Sequence, residues 1–193
     1  FWEIGRVFFR SQEELPTEMT QLALISYGEL EPKTWAQAGR EAGFFHMKGV
    51  VESALTLMGV PEAVFMPDAG MPFHPGKSAR ILVEGSAVGS IGEIHPMTRA
   101  KLDLSVPVFM AWLSLDALSA FYRPNRYRQV SKFMPVERDV AVVVAEDVSA
   151  GDVLTLVQNV ARDLVSVSLF DVWRKPPVPE GSKSLALRLV YQA

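Results

Sequence analysis

Three histidines (His46, His74, His95) and two carboxylates (Asp68, Glu93) are the side chains of this sequence best suited to hold a divalent metal or move a proton. Two of the histidines stand in His-Pro steps, His74-Pro75-Gly76-Lys77-Ser78-Ala79 and Ile91-Gly92-Glu93-Ile94-His95-Pro96. A metal-dependent hydrolase built on His46, His74 and His95 is therefore one reading. Its weakness is spacing: no pair shows the H-x-x-x-H interval that places two ligands on one helix face. His-Pro steps also belong at turns, where an imidazole bonds to backbone, so structural histidines and no metal are expected.

Other chemistries fail sooner. Gly85-Ser86-Ala87-Val88-Gly89 lacks the G-x-S-x-G spacing of a nucleophile elbow. Gly76-Lys77-Ser78 ends like a phosphate-binding loop, but Met71 stands where the first glycine is needed. Gly85, Gly89 and Gly92 do not form G-x-G-x-x-G either. The chain has no cysteine, which excludes thiolate nucleophiles, disulfides and Cys-ligated zinc. Lys48 reads as a solvated charge at a helix start, and Phe44, Phe45, Phe65, Met66 and Phe73 read as core. No catalytic residue is expected.

The elements that must carry these groups are mostly strands. Ile4–Phe9 and Gln21–Gly28 are apolar runs, and Arg80–Val83 and Gly89–Gly92 read as strands joined at Glu84-Gly85-Ser86. Residues 66–77, rich in Pro and Gly, read as loop. A helix is expected from Lys48 to Met58 (Val51, Leu55 and Met58 at i, i+4, i+7), with Gly59 ending it. Trp35–Gly43 reads as a short amphipathic or irregular element, Pro96–Leu102 as a short helix and Val108–Leu113 as a strand.

Beyond residue 122 the rhythm changes to strand, helix, strand, strand. Arg138–Val144 is rich in β-branched residues. Ser149 and Asp152 form a cap before a helix with a stripe of Val153, Leu156, Val157, Val160, Ala161 and Leu164. Strands at Val165–Trp173 and Ser184–Tyr191 flank the Pro-rich loop Lys175–Gly181. A split βαβ sandwich needs a further helix and strand, so the second domain is read as incomplete at its C-terminus. With Phe1 in place of an initiator Met, an internal piece of a longer protein is expected.

Charge shifts at the same point. Residues 1–122 carry 9 Lys/Arg against 14 Asp/Glu, a balance of −5; residues 123–193 carry 10 against 8, a balance of +2. Arg123, Arg126, Arg128, Lys132 and Arg138 face a single acid, Glu137, in their stretch. Such a run neutralises phosphates, or is a solvated linker. No apolar run of about 18 residues exists to span a membrane.

Six segments together resemble the C-terminal part of the bacterial phenylalanyl-tRNA synthetase β-subunit family. They are Phe1–Phe8, Phe45–Glu52, His74–Ala79, Ile91–Pro96, Phe133–Ala141 and Gly181–Ala186, in family order over the whole chain. The resemblance implies an α+β chain: a class II aminoacyl-tRNA synthetase-like antiparallel sheet domain over 1–122, followed by a ferredoxin-like anticodon-binding domain over 123–193. It implies that the first is a non-catalytic relative of the α subunit's active-site domain. The nearest candidate for the adenylating glycine-rich motif, Gly89–Ile94, has Ile where the arginine would be needed.

The resemblance also implies tRNA(Phe) and the synthetase α subunit as partners, with no DNA and no membrane, in the cytoplasm. No cofactor is expected in this segment; ATP and Mg2+ serve the holoenzyme. For RNA it points to Arg126, Arg128, Lys132, Lys183 and Arg188 on phosphates, and to Tyr127, Trp173 or Tyr191 for stacking. His74, Pro75, Gly76, Gly92, Glu93, His95, Arg138 and Asp139 are family-motif positions with structural roles, Arg138 and Asp139 as an ion pair or turn lock. A protein-interaction scaffold without RNA binding is the remaining alternative.

Overall fold

A computed structural model describes residues 1–10, 15–68, 70–124 and 131–192. The chain divides into two compact units, Phe1–Arg126 and Tyr127–Ala193. In the first, the order is β1 (Trp2–Phe9), β2 (Thr17–Tyr27), β3 (Glu29–Glu31), β4 (Arg40–Glu41), α1 (Phe44–Leu57), β5 (Val64–Pro67), β6 (Phe73–Val83), β7 (Ser86–Ile94), α2 (Pro96–Lys101), β8 (Val108–Ser114) and α3 (Leu115–Ser119). Six strands form one antiparallel sheet in the order β1-β2-β8-β7-β6-β5, and β3 pairs with β4 as a separate ribbon.

The core lies between this sheet and α1. Met47, Val51 and Leu55 recur at helical spacing and pack with Ile81, Ile91, Ala111 and Leu113. The helix begins at Phe44, four residues before the expected start, so Lys48 is not at its end. Lys48 instead pairs with Glu52 at i, i+4 and lies 4.5 Å from the centroid of the Phe65 ring. Of the aromatic and Met residues expected in the core, Phe73 is buried, but Phe45 and Met66 are exposed.

The expected loop over 66–77 is corrected: β6 already starts at Phe73. Phe73 pairs with Ile94, and the ladder then shifts before resuming at Ser78 opposite Gly92. Pro75 and Gly76 fall in that shift, where a strand tolerates a residue without a ladder N–H. Pro67 ends β5 on the edge of the sheet. The region Trp35–Gly43 is an irregular turn running into β4, not a helix.

The second unit runs β9 (Val136–Ala145), α4 (Ala150–Val160), β10 (Leu164–Trp173) and β11 (Ser182–Tyr191), with sheet order β10-β11-β9, all antiparallel. Ser149 Oγ accepts the Asp152 N–H at 3.1 Å and caps α4. Leu185, Leu187 and Leu189 are buried beneath the helix, against Ala150, Val153, Leu154 and Val157. The expected stripe is thus partly corrected: Leu156 and Val160 are exposed, and Leu154 takes the inner position. A three-stranded sheet is narrow, so α4 buries one row of side chains instead of a broad face.

Candidate functional site

In the second unit, alternation along the strands divides the side chains between two faces. Val142, Val144, Leu185, Leu187 and Leu189 face α4. On the opposite face stand Ala141 and Val143 of β9, Ser184 and Ala186 of β11, and Asp171 and Trp173 of β10. With Pro177 and Val178 they line a shallow, mostly apolar concavity of about 460 Å3. The register puts Trp173 directly opposite Ser184 and Asp171 opposite Ala186. Trp173 keeps 45% of its surface exposed, and Lys175 Nζ is 5.6 Å from its ring centroid. Within the described residues of the second unit, its helix α4 packs on the other face.

Charged pairs tie the same strands together. Arg188 forks onto Asp139, with Nε–Oδ1 at 2.9 Å and Nη2–Oδ2 at 2.8 Å, because the two residues are register partners on β11 and β9. That hydrogen bonding from Arg188 holds the Asp139 carboxyl below the ordinary carboxylate range and raises the guanidinium in turn. Arg188 also lies 5.3 Å from the centroid of the exposed Phe170 ring. Arg174 donates to Glu146 at 2.9 Å, lowering that carboxyl, and Lys183 Nζ donates to the Glu146 carbonyl at 2.7 Å.

These positions bear directly on the sequence expectations. The expected ion pair within Arg138-Asp139 is corrected: Asp139 pairs across the sheet with Arg188, and Arg138 Nη1 donates to the Glu137 carbonyl. Tyr191 packs with the leucine cluster on the α4 side and is no stacking surface for the open face. Lys132 is exposed. Arg126, Tyr127 and Arg128 lie outside the described residues. Asp171 and Phe170 escaped the sequence reading, although Asp171, two residues before Trp173, shares its face by the strand period of two.

The His-Pro cluster of the first unit has a different character. His74 Nδ1 accepts the Gly76 N–H at 3.1 Å, and His95 Nδ1 accepts the Met97 N–H at 3.1 Å, capping α2. The two rings lie 6.3 Å apart between centroids. In each ring the Nδ1 lone pair is thus already engaged by a backbone N–H. Glu93 is buried and bonds Lys77 Nζ at 2.5 Å, and Asp68 pairs with Arg80 at 3.2 Å. His46 lies on α1, in a shallow groove with Phe45, Gly49 and Ser53. Among the described residues no group of three or more His, Asp or Glu is placed to hold a metal ion, so the hydrolase reading has no support.

Gly92 and Gly89 of the same motif region serve close packing. A Cβ on Gly92 would lie 2.8 Å from the Phe73 ring and from Ser78 Cβ, and one on Gly89 only 2.1 Å from the Trp112 carbonyl oxygen. Within Gly89–Ile94, Ile94 is buried with Phe73 and Val108, and Ile91 is fully buried in the core on the α1 side. The side chains that alternate with it toward the other face are Ser90 and, across the ladder, Trp112 and Met110.

Comparison with known proteins fits both units. The family described as phenylalanyl tRNA synthetase beta chain CLM domain matches residues 1–115, and the ferredoxin-fold anticodon binding domain family matches residues 131–193. Similar curated proteins are the phenylalanine–tRNA ligase beta subunits of Symbiobacterium thermophilum (42% identical, over 100% of this chain and 22% of that protein) and Shouchella clausii (32%, over 99% and 24%). The corresponding subunit of Dechloromonas aromatica is 36% identical over 99% of this chain and 24% of its own length. The chain therefore spans under a quarter of the length of these relatives. From its two domain matches and a similarity to these subunits that runs along the whole of this chain, it belongs to the phenylalanyl-tRNA synthetase beta chain family.

Proposed function

We propose that this chain is the tRNA-binding and assembly part of a phenylalanine–tRNA ligase β subunit, and that the chemistry of charging tRNA with phenylalanine resides on the α subunit. The observation that carries the RNA half is the uncovered sheet face of the second unit. An apolar concavity with a half-exposed indole at its wall takes an unstacked base, with its flat face on Trp173. Asp171, in the same lining, accepts hydrogen bonds from a base edge, and Lys132 and Lys175 supply positive charge. Arg126, Arg128 and Tyr127 complete this proposed footprint from sequence. Arg188 and Lys183 act less as free phosphate ligands than as parts of the frame, since both are already hydrogen-bonded to β9 and its following turn.

For the first unit we propose the non-catalytic class II synthetase-like role over residues 1–122, with 123–193 as the anticodon-binding domain. Its residues do not fit ATP and Mg2+, which belong to the holoenzyme. The outward positions across β2, β8 and β7 are Ala23, Ile25, Met110, Trp112, Ser90 and Gly92, and the neighbouring Arg80 is paired with Asp68. Nothing there offers a transferring phosphate a positive charge. Assembly with the α subunit into (αβ)2 is supported by the outer side of α1, where Phe45 is 83% and Leu57 87% exposed beside Gly49 and Ser53. The cytoplasm is the compartment this role requires.

The test is tRNA(Phe) binding by the intact ligase over a salt series. Affinity is expected to fall steeply, log K dropping by about 0.7 per decade of salt for each single-strand phosphate neutralised. Binding that ignores salt, or no binding by a ligase that assembles normally, would leave the interaction-scaffold reading in its place.

A further inference from the structure

The ribbon formed by β3 and β4 carries a residue that no fold requirement explains. Trp35 stands in the connection between the two strands with its surface 100% exposed. The segment around it is nevertheless closely built. Thr34 Oγ1 accepts the N–H groups of Ala36 (3.3 Å) and Gln37 (3.2 Å), and the Thr34 N–H donates to the Gln37 carbonyl at 3.1 Å. Glu31 receives Arg40 Nη2 at 2.6 Å and Gln37 Nε2 at 3.2 Å, and Glu29 Oε1 accepts the Lys33 N–H at 3.2 Å. Gly39 sits so close that a Cβ would meet Lys33 N at 3.0 Å.

Ordering a turn costs chain entropy, and here none of that ordering buries the indole. We propose that Trp35 is an assembly anchor: its indole inserts into an apolar socket on the α subunit of the same ligase. This deepens the assembly role proposed above and rests on that reading. The chemistry of the ribbon selects a protein socket over RNA. Glu29, Glu31 and Glu41 outnumber Lys33 and Arg40, and Arg40 is paired with Glu31, so the indole is framed by net negative charge that repels phosphates. The matching surface is an apolar pocket with a basic rim, into which a preorganised Trp fits at little further ordering cost. The relatives of this chain are all subunits by name, which places a second polypeptide within reach.

The experiment uses the full-length β subunit with Trp35→Ala or Trp35→Phe, mixed with the α subunit and followed by mass photometry over a dilution series. Trp35→Ala is expected to raise the dissociation constant for the α subunit about tenfold or more, and Trp35→Phe by less. Melting of the free subunit is expected to stay unchanged, since no described residue covers the indole. Unchanged assembly by Trp35→Ala, with wild type assembling normally, overturns the anchor alone. A loss confined to tRNA affinity overturns it in favour of a nucleic-acid contact. Trp35 fluorescence already shielded from acrylamide in the isolated β subunit overturns it in favour of an intrachain site. Failure of the wild-type subunit to bind the α subunit overturns both the anchor and the assembly role.

Discussion

Replacing Gly92 by alanine puts a methyl group where the structure has none to spare. The new carbon would lie 2.8 Å from Cδ1 and Cγ of Phe73 and 2.8 Å from Ser78 Cβ. Neither neighbour is the free end of a flexible chain. Phe73 is buried against Ile94 and Val108, and Ser78 is held by its hydroxyl donating to the His74 carbonyl at 2.9 Å. Overpacking of this kind costs about 1–3 kcal/mol. Removing glycine's backbone freedom returns roughly 0.5–1 kcal/mol, leaving a net loss of about 0–2.5 kcal/mol, centred near 1 kcal/mol. In the unit Phe1–Arg126 a loss of that central size lowers Tm by roughly 3–6 °C. Near-UV circular dichroism on heating reports it, since Trp112 packs on the same cluster. The cause is checked by a double-mutant cycle in which Phe73→Leu makes room for the methyl. Gly92→Ala should then cost less than it does beside Phe73. An unchanged Tm, or an identical cost in both backgrounds, would refute the close-packing explanation of this motif glycine.

Two further outcomes follow from local geometry. Asp139→Asn removes the cross-strand fork to Arg188. Hydrogen bonding from Arg188 holds the Asp139 carboxyl below the ordinary carboxylate range in the folded state, so its contribution is present above that ordinary range and lost as pH falls through the depressed one. The difference in Tm between wild type and Asp139→Asn should therefore be present at neutral pH, shrink in acid, and shrink with salt because the pair is exposed; a difference that grows on acidification contradicts it. His95→Ala removes the acceptor for the Met97 N–H at the start of α2. It should cost about 0.5–1 kcal/mol in denaturant unfolding, with His95→Asn recovering much of it. Greater damage from Asn than from Ala would rule out a capping role.

Much of the framework is legible in the sequence because it is local. The β-branched run of β9, the Ser149 cap, the Val51-Leu55 part of the α1 stripe and the turn at Glu84–Ser86 each need only neighbours in the chain. What escaped depends on pairing. β6 hides behind Pro75 and Gly76 because a ladder shift, invisible in the residues themselves, accommodates them. Asp139 and Arg188 are 49 residues apart and become partners only through the β9–β11 register. The concavity beside Trp173 draws on three strands and the Pro177-Val178 turn, so the sequence named its indole without showing what it stands beside. The His-Pro steps resemble a metal site in one dimension, and the hydrogen bonds at Nδ1 reveal them as turn and helix caps.

The central claim is that the open face of the second unit holds an RNA base against Trp173. Its most direct test is the tRNA(Phe) affinity of the intact ligase with Trp173→Ala, measured at fixed salt. Base–aromatic stacking contributes about 1–3 kcal/mol, so Kd should rise by about 5- to 140-fold. Trp173→Phe should lie between the variant and wild type, and assembly with the α subunit should be unaffected. An unchanged Kd for Trp173→Ala, in a ligase that folds and assembles normally, would contradict the account.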